Sequence, residues 1–126
     1  MPRLTPADPA AVEEALTRDE RTRADLKLLT RHFLAVLEQR APGRSVEVRV
    51  PPYAAVQVVP GVRHTRGTPP AVVELDAPTW IALATGRTAW SQAVAEGRVR
   101  ASGERADLTP YLPLVRPLDP PAGPDA

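Results

Sequence analysis

Between Asp76 and Gly103 the chain carries its own punctuation, and no other stretch restricts the fold as much. Asp76 is placed to cap a helix whose second residue or so is Pro78, where a missing N–H costs nothing. Gly86 supplies the left-handed residue that ends it. Thr88 is placed to cap a second short helix through Trp90, Ala93 and Val94, which Gly97 ends in the same way. Arg98 to Ser102 then alternates charged and apolar residues, with Val99 and Ala101 facing inward, as a half-buried strand does.

Upstream, Thr5-Pro6-Ala7-Asp8 has capping-box spacing and Asp8-Pro9 offers a second start one turn later, predicting a short helix to about Leu16. A longer helix follows from about Arg21 to Arg40. Its Leu26, Leu29, Phe33, Val36 and Leu37 fall within one arc at 100° per residue, which makes a packing face. Pro42-Gly43 ends it. The period then changes: Val46, Val48 and Val50 alternate with Glu47 and Arg49, a strand with one wet face. Pro51-Pro52 breaks that strand. Tyr53 to Val59 is nearly all apolar apart from Gln57 and reads as a more central strand. Pro60-Gly61 signals a turn, Val62 to Pro70 a loop or ragged hairpin, and Ala71 to Leu75 a third strand. Strands with one apolar face need a helical cover, for which the long N-terminal helix is the candidate.

The succession Asp76, Trp80, Gly86, Ala93, Gly97, Arg98-Val99-Arg100 and Gly103 resembles the end of the sterol carrier protein fold, and most of all its short bacterial orthologues. The resemblance covers Glu74 to Leu114 well and the strands from Val46 to Val59 more loosely. A similar pattern occurs in the C-terminal domain of maleylpyruvate-isomerase-like proteins, so the resemblance bears on fold before role. It implies an α+β domain: a small, mainly antiparallel sheet of about four to five strands, covered by helices on one face. Residues 1–116 form that single domain, with N-terminal helices in 5–41 and sheet and helices in 45–116. The Pro-rich tail 117–126 has one apolar side chain longer than Ala and is expected to stay disordered.

Composition removes several classes of function. The 126 residues contain no cysteine, which excludes disulfides, thiolate nucleophiles and zinc–cysteine sites. Net charge is +1 and no stretch concentrates the basic residues, so nothing marks a nucleic-acid partner. Fifteen of the 16 basic residues are arginine, a uniform preference that reads as coding bias rather than a site. Pro2, Pro6 and Pro9 interrupt the N-terminus, no stretch reads as a signal peptide or a membrane span, and the cytoplasm is the expected location.

Catalytic constellations are equally scarce. Ser45 starts a strand, Ser91 stands at a helix N-terminus, and no Gly-x-Ser-x-Gly elbow exists to activate either or Ser102. His32 and His64 lie 32 positions apart with no acid at metal-ligand spacing, and His32 reads as a partly buried structural histidine. Glu13-Glu14 and Asp19-Glu20 are neighbours that point about 100° apart on a helix and read as solvated faces. The densest polar cluster is Arg63-His64-Thr65-Arg66-Gly67. Arg63, His64 and Arg66 either hold an anion by charge-assisted bonds or sit on a solvent-exposed hairpin tip, with the arginines pairing to Glu47 or Glu74.

The resemblance implies a non-enzymatic carrier with an apolar tunnel between sheet and helices and no cofactor or metal. Its lining would be Phe33, Leu37, Val56, Val58, Val73, Leu75, Leu83, Trp90, Val94, Leu108 and Leu112; Trp80 reads as core, and Trp90 as core or lining. Longer members close the tunnel with a C-terminal amphipathic helix that this chain lacks. The cavity is then open, filled by its own side chains, or completed by a second subunit, so a homodimer is one expectation. With 4% aromatic residues, a fatty acyl or isoprenoid chain fits better than a rigid sterol. The rival expectation is an interaction or dimerisation module with the same fold and no tunnel.

Overall fold

The computed structural model describes residues 3–61, 70–103 and 106–115. The expected loop 62–69, with the Arg63, His64 and Arg66 cluster, and the expected tail 117–126 lie outside the described residues.

Two helices open the chain, α1 (Pro9–Thr17) and α2 (Arg23–Arg40). Of the two candidate starts for α1 the second is used: the Asp8 carboxylate accepts the Ala11 N–H at 3.3 Å. Helix α2 opens on a capping box that the sequence reading overlooked. Thr22 Oγ1 accepts the Asp25 N–H at 3.1 Å, and Asp25 Oδ2 accepts the Thr22 N–H at 3.0 Å. Arg18 closes on the same carboxylate at 3.0 Å. The Thr22 amide, and after it Arg18, hold Asp25 below the usual carboxylate range against the opposing effect of burial.

Four strands follow: β1 (Val46–Val50), β2 (Ala54–Val58), β3 (Ala71–Leu75) and β4 (Val99–Ser102). Between β3 and β4 lie α3 (Ala77–Ala84) and α4 (Trp90–Ala95), and a 3-10 turn spans Thr109–Tyr111. The sheet order is β2-β1-β3-β4. β1 and β3 are parallel, and the two outer pairings are antiparallel. Val48 pairs with Val56 on one side and Val73 on the other, and Val73 with Ala101. This is the expected α+β class with a mixed sheet.

Three details differ from expectation. β2 is an edge strand, not a central one: its apolar run is continuous because small Ala55 occupies a position on the wet face, not because both faces are buried. Ala101 is exposed, because β4 is the other edge and only its first residue, Val99, is covered. At Asp76, Gly86 and Gly97 the punctuation works as expected. Asp76 Oδ1 accepts the Thr79 N–H at 2.8 Å, and Gly86 and Gly97 take positive φ after α3 and α4. Thr88 is not the cap of α4; Ala89 is, with no side-chain bond.

A polar knot fastens the strand starts to α2. Val59, at φ 74°, donates its N–H to the Ala41 carbonyl at 2.6 Å. Its own carbonyl accepts Ser45 Oγ at 2.6 Å and the Ser45 N–H at 3.2 Å, while the Ser45 carbonyl accepts the Ala71 N–H at 2.9 Å. Ser45 thus ties β2, β1 and β3 at one end, and Gly43 passes so close to Val59 that a Cβ there would collide with its carbonyl. The N-terminal segment is fastened to α2 by two bonds. Glu38 Oε1 accepts the Leu4 N–H at 3.2 Å, and His32 Nδ1 accepts the Ala7 N–H at 3.0 Å. An imidazole that accepts at Nδ1 is neutral, with its proton on Nε2. Burial favours the same form and lowers the His32 pKa.

Gly43→Ala therefore costs about 1–3 kcal/mol through the forced clash, read as a lower urea midpoint. His32 makes stability depend on pH. Its contribution is complete above the ordinary value of 6.5 and is lost as pH falls from there through the lowered folded value. Urea midpoints followed downward through pH 6.5 show that decline, and His32→Gln, which cannot titrate, removes its onset.

Candidate ligand site between sheet and helices

The residue alternation of the strands puts one row of aliphatic side chains under the helices. Val46, Val48, Val50, Val58 and Val73 are completely buried, and Val56 and Leu75 nearly so. Opposite them, α2 contributes Leu29, Phe33 and Leu37, which recur every fourth residue along its inner face. Helix α3 adds Trp80, Ile81, Leu83 and Ala84 from its own buried side. Trp80 is the cross-brace: its indole N–H donates to the Thr30 carbonyl of α2 at 3.3 Å, with both residues fully buried.

Eight of the eleven residues expected to line a tunnel stand in this layer. Phe33, Leu37, Val56, Val58, Val73, Leu75, Leu83 and Leu108 are all buried in one apolar cluster. Trp90 and Leu112 are half-buried and pack against that cluster from outside. Val94 does not join them. Helix α4 buries Ala93 instead, which turns Val94 about 100° away to 44% exposure.

One end of the layer is closed by the segment 106–115. Leu108 and Leu114 insert into the core, and the amides of Leu114 and Val115 both donate to the Ala84 carbonyl, at 2.8 and 3.1 Å. Two leucines and a strap of backbone bonds thus hold this segment against the layer. A signal was present in the sequence: Leu108, Leu112 and Leu114 recur within seven residues between prolines.

The layer holds little polar chemistry. Buried polar side chains among the described residues are Asp25, Thr30 and Thr79. Asp25 is bonded at the α2 start, and Thr79 Oγ1 accepts from Arg98 Nε at 3.3 Å. Thr30 Oγ1 alone has no partner among the described residues, and nothing in the sequence reading singled it out. No described group of histidines and carboxylates gathers to hold a metal ion. The layer is thus an apolar interior filled by its own side chains, with one buried hydroxyl unpaired among the described residues.

Residues 22–114 match the protein family described as bacterial SCP ortholog, where SCP denotes sterol carrier protein. The match runs from the cap of α2 to the second closing leucine, and so takes in the sheet, α3, α4 and the closing segment. No curated protein matches the chain. No helix among the described residues is long and apolar enough to cross a membrane.

The unpartnered Thr30 hydroxyl yields a test. Thr30→Val keeps the side-chain shape and removes an unsatisfied buried group, so it stabilises the empty protein by about 1 kcal/mol or more. The urea midpoint rises at constant slope. A fall would mean that the hydroxyl has a partner in solution.

Proposed function

The chain belongs to the bacterial SCP ortholog family, and from that membership we propose that it binds a flexible apolar chain, fatty acyl or isoprenoid, without transforming it. Its task on this reading is to carry or shelter a lipid in the cytoplasm. The observation that carries the proposal is the aliphatic layer itself, in which strands, α2 and α3 meet across apolar side chains and one unpaired hydroxyl among the described residues.

The same layer sets the energetics. A ligand enters by displacing the closing leucines, Leu108 and Leu114, each worth about 1.5–3 kcal/mol when buried. A ligand methylene gains about 0.8 kcal/mol, so the first four to eight or so methylenes only offset that displacement. Beyond them each added methylene strengthens binding about fourfold until the layer is full. Short chains stay out and long ones enter.

The rival reading, an interaction module with a filled core, draws on the complete burial of Phe33, Leu37, Leu83 and Leu108. Titration with saturated fatty acids of increasing length separates the two. On the carrier reading, palmitate binds saturably with amide shifts at Phe33, Val48 and Val73, and octanoate leaves those amides unmoved. Leu108→Ala destabilises the empty protein by about 2–5 kcal/mol and lets shorter chains enter. Absence of saturable palmitate binding, together with a concentration-dependent dimer in sedimentation, would hand the case to the rival.

A further inference from the structure

The outer side of α2 carries Arg23, Lys27 and Arg31 at every fourth position, all exposed. Like charges at that spacing destabilise a helix by a few tenths of a kcal/mol per pair. None of the three is relieved by a described acid: the ion pairs among the described residues belong to Arg18, Arg49 and Arg98. Arg31 reaches only a neutral group, the Tyr53 carbonyl, at 3.4 Å. The helix therefore holds cationic charge without a described counter-charge.

Beside this stripe runs the N-terminal segment, and the two border a shallow, open cleft of about 300 Å³. Ala7 stands on one wall, and Ala24, Lys27, Leu28 and Arg31 on the other. His32 joins the walls through its bond to the Ala7 N–H. No carboxylate lines this cleft. Two other clefts formed by described residues differ in this respect. One of about 510 Å³ sets Glu38 beside Arg3 and Arg44; one of about 700 Å³ sets Asp19 beside Arg18, which is already paired. The cleft also lies on the opposite side of α2 from Leu29, Phe33 and Leu37, and its N-terminal wall precedes the residues shared with the family.

We propose that this cleft is a second binding site, for a small amphipathic carboxylate of about eight carbons. Lys27 and Arg31 hold the carboxylate by charge-assisted hydrogen bonds, Arg31 as a planar fork. The alkyl part lies between Ala7 on one wall and Ala24 and Leu28 on the other, which make the cleft partly apolar. The volume, open to solvent on one side, has room for a chain of about octanoate's size. Both cations are exposed, so binding is weak and its value is selectivity for a charged head. The site stands independently of whether the inner layer opens, because a chain this short does not offset displacement of the closing leucines.

Titration of the full chain with octanoate, octanol and acetate, followed by amide chemical shifts, tests the assignment. Octanoate at millimolar concentration shifts Ala7, Ala24, Lys27 and Leu28. Octanol and acetate, each lacking one half of the recognised chemistry, bind at least about fivefold more weakly. Lys27→Gln combined with Arg31→Gln weakens octanoate by about fivefold or more and leaves the sheet amides at their parental positions. Equal binding of octanol or acetate would overturn the proposal, as would parental affinity in the double variant. Octanoate shifts at Val48 and Val73 instead would also overturn it, by placing the ligand in the inner layer. Failure of palmitate to bind that layer is a separate result, read at different amides.

Discussion

Val46, Val48 and Val50 are completely buried beneath α2 and α3, while the residues that alternate with them, Glu47 and Arg49, pair with each other at 2.9 Å on the far side of the sheet. A strand in such a register cannot slip by one residue without moving three valines into water and two charges into the core. Because β1 is flanked by β2 and by β3, its register is passed to both neighbours, and through β3 to β4. The buried face of the whole sheet is therefore decided at β1, and so is the side on which helices must lie. Anything the protein shelters has to sit on that side, since the opposite face presents Glu47, Arg49, Gln57, Glu74 and Arg100.

On the proposed carrier reading, stability and carriage make opposed demands on this layer. Folding is favoured by filling it, and a well-filled interior resists insertion of even a methylene. The conflict would then fall on the part of the layer that is least firmly held. The strand valines and the α2 residues are locked from several directions, by sheet pairing, by the Trp80–Thr30 bond and by the Ser45–Val59 knot. The closing leucines belong to a segment that reaches α3 through two amides on one carbonyl and α2 through one long Arg40 contact at 3.5 Å. A cover attached by a few bonds at one end opens at lower free energy than a strand held on two sides, and local opening of such segments is the ordinary behaviour of folded chains.

Much of this architecture was legible because the chain marks it with residues that have one physical use. Asp76, Gly86 and Gly97 stop and start helices for steric and hydrogen-bonding reasons that hold in any context, and the valine alternation of β1 needs only a period of two. What could not be read was what depends on neighbours distant in sequence. The rank of β2 in the sheet is one case: Ala54 and Ala55 are compatible with a central or an edge position, and only the parallel pairing of β1 with β3 decides between them. The choice of Ala93 over Val94 as the buried residue of α4 is another, since six residues carry too short a period to define a face. The Thr22–Asp25 box is present as a spacing, but a helix beginning at Arg21 takes both residues into its first turn and hides it.

Helix α2 unites these themes, because its two sides answer to different solvents. Leu29, Phe33 and Leu37 close the layer from above, whereas Arg23, Lys27 and Arg31 run along water with like charges stacked turn upon turn. The apolar side outweighs the repulsion by far: three buried large side chains contribute about 1.5–3 kcal/mol each, against a few tenths per charged pair. The helix is thus secure enough to carry an unfavourable outer stripe. The N-terminal segment is held over that side by His32 and Glu38, which converts an exposed stripe into the wall of a cleft. Packing on one side of a helix thereby frees the other to hold charge that folding alone would select against.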